Sequence, residues 1–117
     1  MADLQLTDRA MFDLSEIRDY SINQFGVEAA NRYIEGVQNG LLLIKEHPGL
    51  LQTKDKASGA FSFYPVQKHH LVCTEIEDTI IVLTVTHFQI DLISRLAELE
   101  PMLLEEANIL FESLKLQ

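Results

Sequence analysis

The sequence predicts an α+β fold, with an N-terminal helical hairpin on one face of a small, mainly antiparallel sheet and an extra C-terminal amphipathic helix. Three observations carry this. Two amphipathic stripes fill residues 7–47 and meet at Gly26, strand-like runs replace them over residues 61–86, and a wide apolar stripe of helical period returns after Pro101. A repeat near 3.6 marks a helix with one buried face, and a repeat of 2 marks a strand. Helices, then strands, then a helix is the α+β order.

A short opening segment alternates Leu4 and Leu6. Thr7 then offers a cap whose hydroxyl accepts an orphan amide, and Asp8 suits the positive end of the helix dipole. Ala10, Leu14, Ile17 and Ser21 fall on one stripe, broadened by Tyr20 and Phe25, and Gly26 ends it. The second helix starts at once, with Ala30, Tyr33, Ile34, Val37, Leu41 and Ile44 at the same spacing. His47-Pro48-Gly49 stops it, since proline disfavours helix in the residue before it. Two helices joined at one glycine form an αα-hairpin.

Residues 50–59 read as a polar, mobile loop. Phe61 and Phe63 alternate with Ala60 and Ser62 in a short strand that runs into Pro65. Residues 69–76 make a second strand and, past a tight Glu77-Asp78 turn, residues 79–86 a third. The run at 80–83 is apolar on both faces, as in a central strand covered on both sides. Ile93, Leu96 and Leu99 make a short helical stripe, and Glu100-Pro101 restarts a helix with proline at its first position. Its wide apolar face holds Leu103, Leu104, Ala107, Leu110, Phe111 and Leu114, with Glu105, Glu106 and Glu112 opposite. So apolar a stripe is expected to bury itself, against the chain's own sheet or as a homodimer seam, the width favouring the seam.

At 117 residues the chain forms one domain with a core of its own. One cysteine, Cys73, excludes an internal disulfide and fits a reducing cytosol. The first residues hold acidic side chains and no apolar leader, and the apolar runs at 41–44 and 80–83 are too short to span a bilayer, so a cytoplasmic protein is expected. Eighteen acidic against nine basic residues give a net charge of −9. A nucleic-acid binder needs cations to displace counterions from phosphates, so direct nucleic-acid binding is disfavoured. The only local basic cluster, Lys54, Lys56 and Lys68, is diluted by Asp55, Glu75, Glu77 and Asp78.

No glycine-rich phosphate loop or nucleophile elbow is present, and no cofactor is expected. His69 and His70 point to opposite faces of a strand, and His87 with Asp91 falls short of the three or four ligands of a metal site. Cys73 reads as a small core residue. Phe61, Phe63, Tyr64 and Tyr33 fit either core or an aromatic binding surface, with Phe61 and Phe63 on one strand face and Tyr64 on the other.

The order of these pieces resembles the RelE/ParE superfamily of bacterial toxins, and its ParE branch most closely. Ala10 with Asp13-Leu14, Ile17 and Tyr20 is similar to that branch's first helix, and Gly26, Ala30 and Tyr33 to the start of its second. His47-Pro48 matches the second helix's end. His69-His70-Leu71-Val72-Cys73 resembles its histidine-led strand, and Val85-Thr86-His87 with Asp91 its closing strand. The pattern is complete near Leu99, so residues 1–99 read as the toxin domain and 100–117 as a helical extension of it. The resemblance implies the toxin component of a type II toxin–antitoxin module, of the plasmid-stabilisation kind. Such a toxin binds DNA gyrase without chemistry of its own and is neutralised by a cognate antitoxin. Candidate target- or partner-binding residues are Phe61, Phe63, Lys68, His69, His87 and Arg95, and the C-terminal stripe is a candidate homo-oligomer interface. The branch's usual basic positions hold Ser62 and Thr84 here, which leaves open a non-toxic interaction module. The third reading, a ribosome-dependent mRNA endoribonuclease, would rest on Lys68, His69, His70, His87 and Arg95 and lacks arginines to hold a phosphate.

Overall fold

The computed structural model describes residues 3–52, 61–88 and 92–116, the side chains of residues 92, 93 and 95 excepted. Strand β1 (Asp3–Leu6) leads into helices α1 (Asp8–Phe25) and α2 (Val27–Glu46). Strands β2 (Ser62–Val66), β3 (His69–Ile76) and β4 (Thr79–His87) follow, and helix α3 (Leu92–Lys115) ends the fold. The sheet runs β1-β4-β3-β2, with β1 parallel to β4 and the other pairs antiparallel. The alternating Leu4 and Leu6 are therefore a fourth strand, which places β4 inside the sheet as its apolar run requires. Four residues without a turn signal are too little sequence to mark a strand whose partner lies some 76 residues away (Asp3 opposite Thr79).

Thr7 joins β1 to α1. Its hydroxyl accepts the Ala10 amide at 3.1 Å and donates to the Leu83 carbonyl at 2.9 Å, so one side chain caps the helix and ties it to β4. Where β1 stops, the edge of β4 would be bare. Asp13 covers it, accepting the Val85 amide at 3.0 Å and the Thr84 hydroxyl. Gly26, at φ 90°, links the helices in a conformation that a side chain would strain. Helix α2 ends at Glu46 and passes through a 3-10 turn, Pro48–Leu50, to Gln52, which exchanges two backbone hydrogen bonds with Phe63. The rest of the expected loop, with Lys54 and Lys56, lies outside the described residues.

Two apolar layers flank the sheet. Under the hairpin, Ala10, Val37 and Ile44 meet Leu71, Cys73, Ile80 and Val82. On the other side Leu96, Leu103, Ala107 and Phe111 meet Phe61, Phe63, Val72, Ile81 and Leu83. The β3–β4 register jumps between Val72 and Cys73, which face Thr84 and Val82, leaving Leu83 as an extra residue on β4. Such a bulge resets the alternation. Val85 thereby joins the hairpin-side core, although strict alternation would set it beside Leu83.

Two expectations change on the C-terminal side. Helix α3 is continuous from Leu92 to Lys115 with Pro101 inside it, so no restart occurs, and residues 99 and 100 fall within one helix. Proline deprives the Ala97 carbonyl of its donor, and water can serve that group because Ala97 is exposed. The stripe also packs in cis: Leu103, Ala107 and Phe111 are buried against the chain's own sheet, and Leu104, Leu110 and Leu114 are half-buried. Arg9 holds the helix to α1 through a fork of two 2.9 Å bonds to Glu106. Among the described residues, no helix is long and apolar enough to cross a membrane.

Candidate functional site

The turn end of the hairpin reaches past the apolar part of the sheet and overhangs the ends of β3 and β4. An open cleft of about 820 Å³ lies there. Helix α1 supplies Glu16, Ile17, Tyr20, Ser21 and Phe25, and α2 supplies Ala29 and Tyr33. The opposite wall is the β2–β3 turn, Gln67 and Lys68, with His69 and His87 from the adjoining strand ends. Tyr20 and Phe25 are 63% and 68% exposed, so they rim the cleft and do not widen the buried stripe as expected. They lie on α1 beyond the core line of Ala10, Leu14, Ile17 and Ser21. Outside the lining, Phe88 is also exposed and stacks on His87, centroids 4.8 Å apart.

Local geometry sets the wall. His69 pairs with His87 across β3 and β4, and their rings meet edge to face at 5.1 Å. Tyr33 approaches His69 edge to face at 5.6 Å and hydrogen-bonds its Nδ1. The Tyr33 hydroxyl also accepts the Lys68 amide at 3.2 Å. Burial, with His87 and His70 nearby, lowers His69 to about 4. The ring is therefore neutral at pH 7 and is joined to the phenol through its Nδ1. Burial raises Tyr33 above its ordinary value, against the opposing Lys68 amide bond, which keeps it a donor. The turn itself grips α2: Gln67, at φ 54°, donates its side-chain amide to the Tyr33 carbonyl at 3.2 Å. Gly40 lets α2 settle on β2, since a Cβ there would lie 2.6 Å from Val66.

The structure thus gathers Lys68, His69 and His87 from the sequence-derived candidates, with Tyr33 from the aromatic set, and adds Glu16, Tyr20 and Phe25. Phe61 and Phe63 lie elsewhere, 2% and 1% exposed beneath α3, and Tyr64 lies on the hairpin side. The side chain of Arg95, and Asp91, are outside the described residues. Thr84 and Ser62 are both buried; Thr84 serves Asp13, and Ser62 donates to the Cys73 carbonyl at 3.5 Å. Cys73 is fully buried, and burial beside Glu75 pushes its thiol up to about 12, which makes it inert. Among the described residues no cluster of His, Cys, Asp and Glu is arranged to hold a metal ion.

Comparison with known proteins agrees with this architecture. No curated protein matches the chain. A chain of the solved chromosomal ParDE TA system from P. aeruginosa is similar to it in fold, at a TM-score of 0.68 and 14% identity, covering 76% of this chain and 98% of that one. The family model described as the ParE toxin of type II toxin-antitoxin system, parDE, matches residues 4–92, ending where α3 begins. The chain, matched over more than half its length with the elements in the family's order, belongs to the ParE toxin family.

Proposed function

We propose that this protein is the toxin of a type II toxin–antitoxin pair, acting by binding a protein target, DNA gyrase by family resemblance, and held inactive by a cognate antitoxin. The observation that carries the reading is the cleft. Exposed aromatic rings around a concave surface are the composition of protein-recognition sites, where a few such anchors supply most of the binding energy. Catalysis is not required of it. Among the described residues Lys68 is the one cation lining the wall, with no arginine beside it to share a phosphate, and His69 is already neutral and engaged by Tyr33. A protein that binds gyrase and an antitoxin works in the cytoplasm.

Inducing the chain in a bacterial host, with and without the neighbouring open reading frame, tests this. Filamentation with DNA damage, relieved by the neighbour, is the expected result. Rapid translation arrest with cuts at ribosomal A sites that vanish in His87→Ala would replace it with the endoribonuclease reading. Unaffected growth would favour a toxin-fold interaction module, for which α3, lying beyond the family match, is the supporting feature.

A further inference from the structure

Resting on the reading of the cleft as a partner-binding surface, we propose that it receives an arginine side chain of the partner, stacked among Tyr20, Phe25 and Tyr33 and paired with Glu16. The two helices present the rings of Tyr20, Phe25 and Tyr33 with Ile17 and Ala29 between them, and among the described residues the single carboxylate in the lining is Glu16. Aromatic faces carry a negative potential that attracts cations. A guanidinium is planar and weakly hydrated, so it gives up water to lie between rings at less cost than an ammonium, and its fork suits a carboxylate. The molecule's net charge of −9 favours a basic partner and disfavours an acidic one.

The alternatives are weaker on the same wall. An apolar side chain would bury itself against the rings but gain nothing from Glu16, which stands exposed on α1 beside them. An anion would meet that carboxylate and the ring faces. Lys68 stands on the opposite wall, exposed at the turn, and its repulsion directs the guanidinium toward α1. The cleft's volume of about 820 Å³ leaves room for the flanking backbone of the partner segment as well.

Titrating the full chain with N-acetyl-arginine methylamide, and separately with its uncharged citrulline and phenylalanine counterparts, tests this by NMR of the His69, His87 and Tyr20 ring signals. The arginine compound should give saturable shifts and bind about tenfold more tightly than citrulline, a gap that added salt narrows. Glu16→Gln should erase the gap, and Lys68→Glu should widen it. Citrulline or phenylalanine binding as well as arginine, or a gap unchanged in Glu16→Gln, overturns the proposal. The titration is independent of toxicity. Arginine selectivity that depends on Glu16 supports the inference even in a chain that does not arrest growth, and its absence overturns it even where induction does.

Discussion

On the α3 side of the sheet, Leu96, Leu103 and Ala107 press onto Phe63, Val72, Ile81 and Leu83, and none of these exceeds 2% exposure. On the hairpin side the core is as tight under Val37 and Ile44, but it ends before the hairpin does. Past Leu71 and Val85 the strands continue into His69 and His87, and among the described residues these imidazoles are what the strand ends present to the overhanging helices. One face is sealed by a single helix laid along an uninterrupted apolar surface. The other outruns its sheet, and the described side chains left there mix rings and imidazoles with Ile17, Ala29 and the opposite charges of Glu16 and Lys68. The cleft forms where the apolar pattern of the sheet stops while the backbone scaffold continues.

Leu83→Ala should reveal how fully the sealed side depends on burial. A cost of about 2–5 kcal/mol in denaturant unfolding is expected from lost transfer energy plus a residual cavity. A change under about 0.5 kcal/mol, typical of a surface site, would mean that α3 does not cover β4. On the hairpin side the comparable probe is Gly40→Ala, which drives a Cβ into Val66. Overpacking should cost about 1–3 kcal/mol and should also disturb the Tyr33–His69 contact, since β2 leads straight into the Gln67–Lys68 turn. Destabilisation with unchanged ring signals would show that the cleft is mechanically separate from the layer beneath it.

The two faces should also differ in their response to pH. His69 is lowered to about 4 by burial and by His87 and His70. Its folded state therefore binds fewer protons than its unfolded state between about 6.5 and 4. Stability from this group is fully present above pH 6.5 and is lost as pH falls toward 4, by an amount on the order of 1–2 kcal/mol given solvent screening at the cleft. His69→Phe should flatten that part of the profile, whereas Leu83→Ala should lower the whole curve in parallel. A profile that keeps its slope in His69→Phe would assign the titration to other groups.

The smallest expected effect concerns the strap between the two sides. Arg9 and Glu106 are partly exposed, so Arg9→Ala should cost only about 0.5–1 kcal/mol, most visibly at low salt. A double-mutant cycle with Glu106→Ala isolates the coupling. Truncation at Glu100 would do far more than lose this strap, because it uncovers Phe61, Phe63, Ile81 and Leu83. The shortened chain should aggregate, while an equally soluble and stable monomer would show α3 to be a passive tail.

By itself the sequence determined the helices, the three later strands and the two-sided burial of β4, because each rests on a local repeat of apolar residues or on a local stop such as Gly26 or His47-Pro48-Gly49. It also determined the family, whose marks are residues in order. Tertiary structure alone decided the rest. Leu4 and Leu6 became a strand because β4 had an open edge to fill, which no local pattern announces. Pro101 stayed inside a helix because packing on either side of it outweighed one lost hydrogen bond. Phe61 and Phe63 went to the core while Tyr20 and Phe25 went to solvent, although all four are aromatic residues at plausible core spacing. The cleft was only half legible for the same reason: Lys68, His69, His87 and Tyr33 stand out as chemical types, but Glu16, Tyr20 and Phe25 belong to it through the place where a helix overhangs a sheet. Periodicity says which side of an element is buried, and only the meeting of elements says where burial ends.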